Sequence, residues 1–160
     1  MKTILIPTDF TIDSLSLVKN ALNDEQESKV NIILAYGKKL PWSAMDLLYL
    51  SKNKFILNLQ DEDFIEAKEI ISNKYKSKIN SFKIDVFHGF NQNAFNNFIS
   101  SHRATHSVIP EDDTYFDNKF KGGFNITTFI RKSDLHISTV QCVKENAPVT
   151  HSSLFKLITS

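Results

Sequence analysis

The 160-residue sequence contains a single cysteine, Cys142. No intramolecular disulfide can form, which fits a reducing compartment. Cys142 itself reads as a buried or half-buried strand residue, not a redox centre. Charge of one sign is also lacking. A formal net charge of +1 gives no strong field toward nucleic acid or membrane. No apolar run approaches the length needed to span a bilayer. The first such run, Ile4-Leu5-Ile6, is cut by Pro7-Thr8-Asp9 and is too short for a signal-peptide core. The expected location is therefore the cytoplasm, with neither nucleic acid nor membrane as partner. Glycine is scarce, at four residues, and none falls in a Walker A motif or a dinucleotide fingerprint. A G-x-S-x-G nucleophile turn is absent as well. There is no internal repeat, domain linker or low-complexity segment.

What is present suits one soluble domain. The hydrophobic share of 41% and the charged share of 23% are ordinary, and the length allows a substantial core. Residues 3–7 form a short apolar run ending at a proline, as a buried strand would. Thr11 is placed to cap a following helix whose stripe is Leu15, Val18 and Leu22. Val30–Tyr36 reads as a second buried strand, punctuated by Gly37. A short helix is expected after Pro41-Trp42. A firmer one starts at Asp61 or Asp63, with Phe64, Ala67, Ile71 and Tyr75 on one stripe. Phe82, Ile84 and Val86 alternate with Lys83 and Asp85, which predicts a third strand with one wetter face. Asn93–Ser101 is expected as helix, Thr105–Ile109 as the fourth strand and Leu135–Val143 as the fifth.

Strands alternating with helices predict an open parallel sheet with right-handed crossovers. Ligands of such sheets bind outside the carboxyl ends of the strands. The loops after residues 7, 36, 88 and 109 are therefore the ones to inspect.

The opening Ile4-Leu5-Ile6-Pro7-Thr8-Asp9-Phe10-Thr11 combines strand, proline, threonine, aspartate and a hydroxyl cap. It resembles the start of universal stress proteins, an apolar strand followed by V-P-T-D-F-S and an amphipathic helix. Leu34-Ala35-Tyr36 stands where that family often has L-H-V. Phe87-His88-Gly89 resembles its V-x-x-G turn, and Gly123–Arg131 its G-S-x-x-x-x-V-L-R helix start. The resemblance spans residues 1–143 and leaves a tail, 144–160, that could pack on a dimer partner. It implies a three-layer α/β/α, Rossmann-like fold with five parallel strands, usually dimeric. In the family the last strand lies at the sheet edge and pairs with its counterpart, here 135–143. An unprotected edge of that kind is a template for pairing, and a two-fold dimer closes it.

ATP-binding members carry an aspartate after the first strand and G-x2-G-x9-G-[S/T] after the fourth. Those glycines let backbone N–H groups approach phosphate. Counting back from Gly123 puts the first two glycine positions at Pro110 and Asp113. Pro110 has no N–H to donate. Asp113 brings negative charge, beside Glu111 and Asp112, and Phe124 replaces the hydroxyl. Like charges a few Å apart cost on the order of 1–4 kcal/mol even when well screened. Lys119 and Lys121 offset part of this. The resemblance therefore implies a member without the usual ATP site and without a cofactor. The alternative is a remodelled site for ATP or AMP, built on Asp9, the backbone around Ala35, and Gly123. Asp9 is then a ribose or adenine ligand; otherwise it is a turn aspartate bonding backbone N–H groups.

The remaining polar clusters have plainer readings. Glu111-Asp112-Asp113 lacks calcium-loop spacing and suits a solvated loop. His88, His102, His106, His136 and His151 have no metal-ligand spacing, and only His88 lies at the functional edge. Asn91, Asn93, Asn96 and Asn97 suit a polar surface. No nucleophile–base pair stands at recognisable spacing, so no residue is expected to be catalytic. A receiver-type phosphorylation switch would need paired acids after the first strand, where Asp9 stands alone. The expected role is a stress-linked dimeric scaffold or regulator.

Overall fold

The computed structural model describes residues 1–26, 29–38, 53–89, 91–112 and 123–141. The strands are β1 (Thr3–Pro7), β2 (Val30–Lys38), β3 (Ile79–Phe87), β4 (His106–Pro110), β5 (Gly123–Phe124) and β6 (His136–Val140). The helices are α1 (Leu15–Asp24), α2 (residues 53–59), α3 (Glu62–Lys74), α4 (Gln92–His102) and α5 (Thr127–Arg131). Five strands form a parallel sheet in the order β3-β2-β1-β4-β6. The sixth, β5, is two residues long and pairs antiparallel with the end of β2. The expected five-stranded parallel sheet is therefore present with a small antiparallel addition.

Both faces of this sheet are buried, which is why β1 and β2 read as continuous apolar runs. Ile4 and Ile6 of β1 enter one core with Leu15, Val18 and Leu22 of α1 and Phe64, Ala67 and Ile71 of α3. Leu5, between them, enters the other core with Phe95 and Ile99 of α4 and Ile130 of α5. The period of two along a strand divides the residues between two helical layers. Each fully buried Leu, Ile or Phe contributes about 1.5–3 kcal/mol relative to exposure.

Local signals set the helix ends. Asp61 caps α3, its Oδ1 accepting from Phe64 N–H at 2.7 Å. Asn91 caps α4 in the same way, accepting from Ala94 N–H at 2.9 Å. Arg103 closes α4 in the left-handed region at φ 55°, donating its N–H to the carbonyls of Ile99 and Ser100.

Several boundaries differ from expectation. Thr11 does not cap α1: its hydroxyl and carbonyl oxygens accept from Ser14 N–H, forming a turn that precedes the helix. The third strand runs to nine residues, because its polar first half pairs with β2 along the sheet edge. The fourth strand is shifted by one residue and ends on Pro110. The helical segment within Gly123–Arg131 is α5, which starts at Thr127, where Asn125 Oδ1 accepts from the N–H and hydroxyl of Thr127 and holds a turn. The fifth parallel strand ends at Val140; Cys142, Val143 and the tail 144–160 lie outside the described residues, as does the helix expected after Pro41. Among the described residues, no helix is long and apolar enough to cross a membrane.

Candidate functional site

The strand order places the topological switch between β1 and β4. The crevice to examine therefore lies outside Pro7-Thr8-Asp9 and Pro110-Glu111. The first of these segments is tightly bonded. Thr8 N–H donates to the Ala35 carbonyl at 3.0 Å. The Thr8 hydroxyl accepts from Phe10 N–H at 3.0 Å and lies 2.9 Å from the Ser14 hydroxyl. Phe10 sits at φ 61° and is 1% exposed. A left-handed aromatic residue costs roughly 1–2 kcal/mol. Packing against Tyr36 and Phe64, with ring centroids 5.0 and 5.4 Å away, offsets it.

Asp9 is buried, and its Oδ1 accepts from both the N–H and the hydroxyl of Thr11. This is the turn geometry that an aspartate in this position offers. Ala35 is fully buried within β2, in register with Pro7 on one side and Asp85 on the other. Gly123 pairs with Lys38, and a Cβ there would lie 2.4 Å from the Tyr36 hydroxyl. Tyr36 is thus the residue around which Asp9, Ala35 and Gly123 converge. Burial first, then the Asp9 carboxylate, push its phenol up to about 12. Sequence reasoning did not single Tyr36 out. Its one signal is a phenol at the end of an apolar strand.

β4 ends on Pro110, which is buried and in register with Val140. The next N–H, of Glu111, already donates to the Val140 carbonyl at 2.8 Å. Two successive backbone positions therefore offer a phosphate nothing. Glu111 and Asp112 are exposed; Asp113, Lys119 and Lys121 lie outside the described residues. Phe124 pairs with Gly37 and joins an aromatic cluster, its ring 6.1 Å from Phe87 and 6.4 Å from Phe129.

The histidines divide. His88 follows β3, and its buried Nδ1 has no hydrogen-bond partner. His106 and His136 lie side by side on β4 and β6, with centroids 5.1 Å apart. Sequence reasoning missed His102, whose Nε2 lies 2.6 Å from Oδ2 of the buried Asp85. The signal was Asp85 itself, since a carboxylate in a half-buried strand needs a partner. No group of three or more potential metal ligands occurs among the described residues.

No protein-family model matches the sequence, and neither does any curated protein. Solved structures do. The chain is similar to the universal stress protein UspA from Lactobacillus plantarum at 9% identity, covering 88% of this chain and 97% of that one, with a TM-score of 0.52. It is also similar to a universal stress protein crystallised in complex with cAMP, at 15% identity, 89% and 98% coverage, and a TM-score of 0.50. The chain has the universal stress protein fold.

Proposed function

We propose that this chain is a universal stress protein that acts as a dimeric scaffold or regulator and does not hold ATP in the family's usual way. The observation that carries this reading is the last residue of β4 and the first that follows it. Pro110 has no N–H, and the Glu111 N–H is committed to Val140. A polyphosphate needs free backbone donors at these positions. The fold supports the family assignment, and fold alone does not assign an activity. In this reading no residue is catalytic, the chain works in the cytoplasm, and its partners are a second copy and other proteins. The exposed character of β6, which pairs only with β4 among the described strands, supports pairing between copies.

A second reading has one specific support: a structure of similar fold holds cAMP. A nucleoside monophosphate makes smaller demands on the phosphate loop. Asp9, the Ala35 backbone and Gly123 already meet around Tyr36. In this reading the chain senses AMP or a related monophosphate.

A thermal-shift titration with ATP, ADP and AMP separates the two. Ligand at a hundred times its Kd stabilises by about 2.7 kcal/mol, a shift of several degrees. The first reading expects no saturable rise with any of them. A rise with AMP alone selects the second reading, and a rise that is largest for ATP sinks the first.

A further inference from the structure

At the amino-terminal end of the sheet, opposite the β1/β4 crevice, a polar cleft of about 390 Å³ opens between the first halves of β1–β3 and the end of α4. Thr3, Asn31, Ser81, Lys83, His102 and Arg103 line it, and no aspartate or glutamate does. From this geometry we propose that the cleft binds a small ligand through a dianionic phosphate group.

Its floor is a connected network. The Asn31 amide donates to the Thr3 hydroxyl at 3.2 Å, and Asn31 Oδ1 accepts from Asn80 at 2.8 Å and from Ser81 at 2.7 Å. These bonds fix which way each amide and hydroxyl faces, so little ordering is left for binding. Its wall is pinned by the Asp85–His102 pair. Asp85 Oδ1 accepts from Val86 N–H at 2.7 Å while Oδ2 takes the His102 Nε2–H at 2.6 Å. The pair ties the last turn of α4 to β3. One residue later the left-handed turn at Arg103 brings the guanidinium to the same cleft.

Lys83 and Arg103 both lack an ion-pair partner among the described residues. A charge on an edge strand such as β3 protects against aggregation, and that accounts for Lys83 alone. It does not account for Arg103, which approaches from a helix on the other side of the cleft. A planar fork and a point charge facing one space, above fixed amides, suit phosphate oxygens. The volume suits a small metabolite, and the polar lining excludes an apolar one. The site is at the opposite end of the strands from Asp9 and Pro110, so it stands apart from the nucleotide question.

The test is amide NMR of the full chain titrated with inorganic phosphate and, separately, with glucose 6-phosphate. Saturable shifts are expected at residues 31, 80–83 and 101–103, and sodium chloride of matched ionic strength should not reproduce them. The double variant Lys83→Gln/Arg103→Gly should weaken binding by about tenfold or more. Both side chains are exposed, and glycine accepts φ 55°, so the fold is retained. Arg103→Lys should keep most of the affinity. Tighter binding of glucose 6-phosphate than of phosphate supports an organic phosphomonoester; equal binding supports the free ion. Absence of saturable shifts, shifts that survive in the double variant, or shifts centred on residues 8–10 and 110–112 overturn the proposal.

Discussion

Tyr36 shows how one side chain ties the candidate site together. It is 3% exposed, close to Asp9, and its hydroxyl lies 2.4 Å from where a Cβ at position 123 would stand. Its phenol is raised from 10.0 to about 12 by burial and then by the Asp9 carboxylate. The folded state thus keeps a proton that the unfolded chain releases near pH 10. Stability from this group is complete below pH 10 and is lost as pH rises through 12. The loss amounts to roughly 2–3 kcal/mol. Urea unfolding between pH 9 and 12 should show this decline in the natural chain, whereas Tyr36→Phe should remove that part of it. An equal decline in both proteins would place the effect on other groups.

At the scale of elements, β5 is held entirely by what it meets. It is too short to persist alone, and β2 supplies its pairing through Gly37 and Lys38. A Cβ at Gly37 would lie 2.7 Å from both the Phe124 carbonyl oxygen and Ile126 Cγ2. Gly37→Ala must therefore push β5 from β2, at a cost of about 2–3 kcal/mol. Chemical denaturation measures it, and a change below half that size would show that β5 yields freely.

The same elements explain what the sequence disclosed. β1 and β2 were legible because burial on both faces writes an uninterrupted apolar run. Asp61 and Asn91 both cap helix starts, but only Asp61 is among the starts the sequence predicts, Asn93 standing in place of Asn91. The third strand read short because Asn80, Ser81 and Lys83 lie on an edge where polarity is tolerated. β5 could not be read at all, since its two residues carry no period and depend on tertiary pairing. In the site, the proline at the first glycine position of the family motif is visible by counting alone. The convergence on Tyr36 and the Asp85–His102 contact, 17 residues apart in sequence, needed the sheet.

Across the whole molecule, the sheet of the described residues ends on one side in β6, whose inner groups are set by two bonds. His136 donates to the Thr105 carbonyl, and the Val140 carbonyl accepts from Glu111. Alternation then turns the N–H groups of Ile137 and Thr139 outward. Thr139→Pro removes one outward donor and leaves the pairing with β4 in place. In sedimentation the natural chain should run as a dimer and the variant as a monomer. A monomeric natural chain, or a variant that still dimerises, would remove β6 from the interface.

The proposed absence of the usual ATP site rests on the carboxyl end of β4, where Pro110 has no N–H and the Glu111 N–H donates to the Val140 carbonyl. The phosphorus NMR spectrum of ATP, recorded as the full chain is added, probes those phosphates directly. Unchanged β- and γ-phosphate resonances are predicted up to millimolar protein. Saturable broadening or displacement of both, enhanced further in Pro110→Gly, would mean that the loop after β4 cradles them after all.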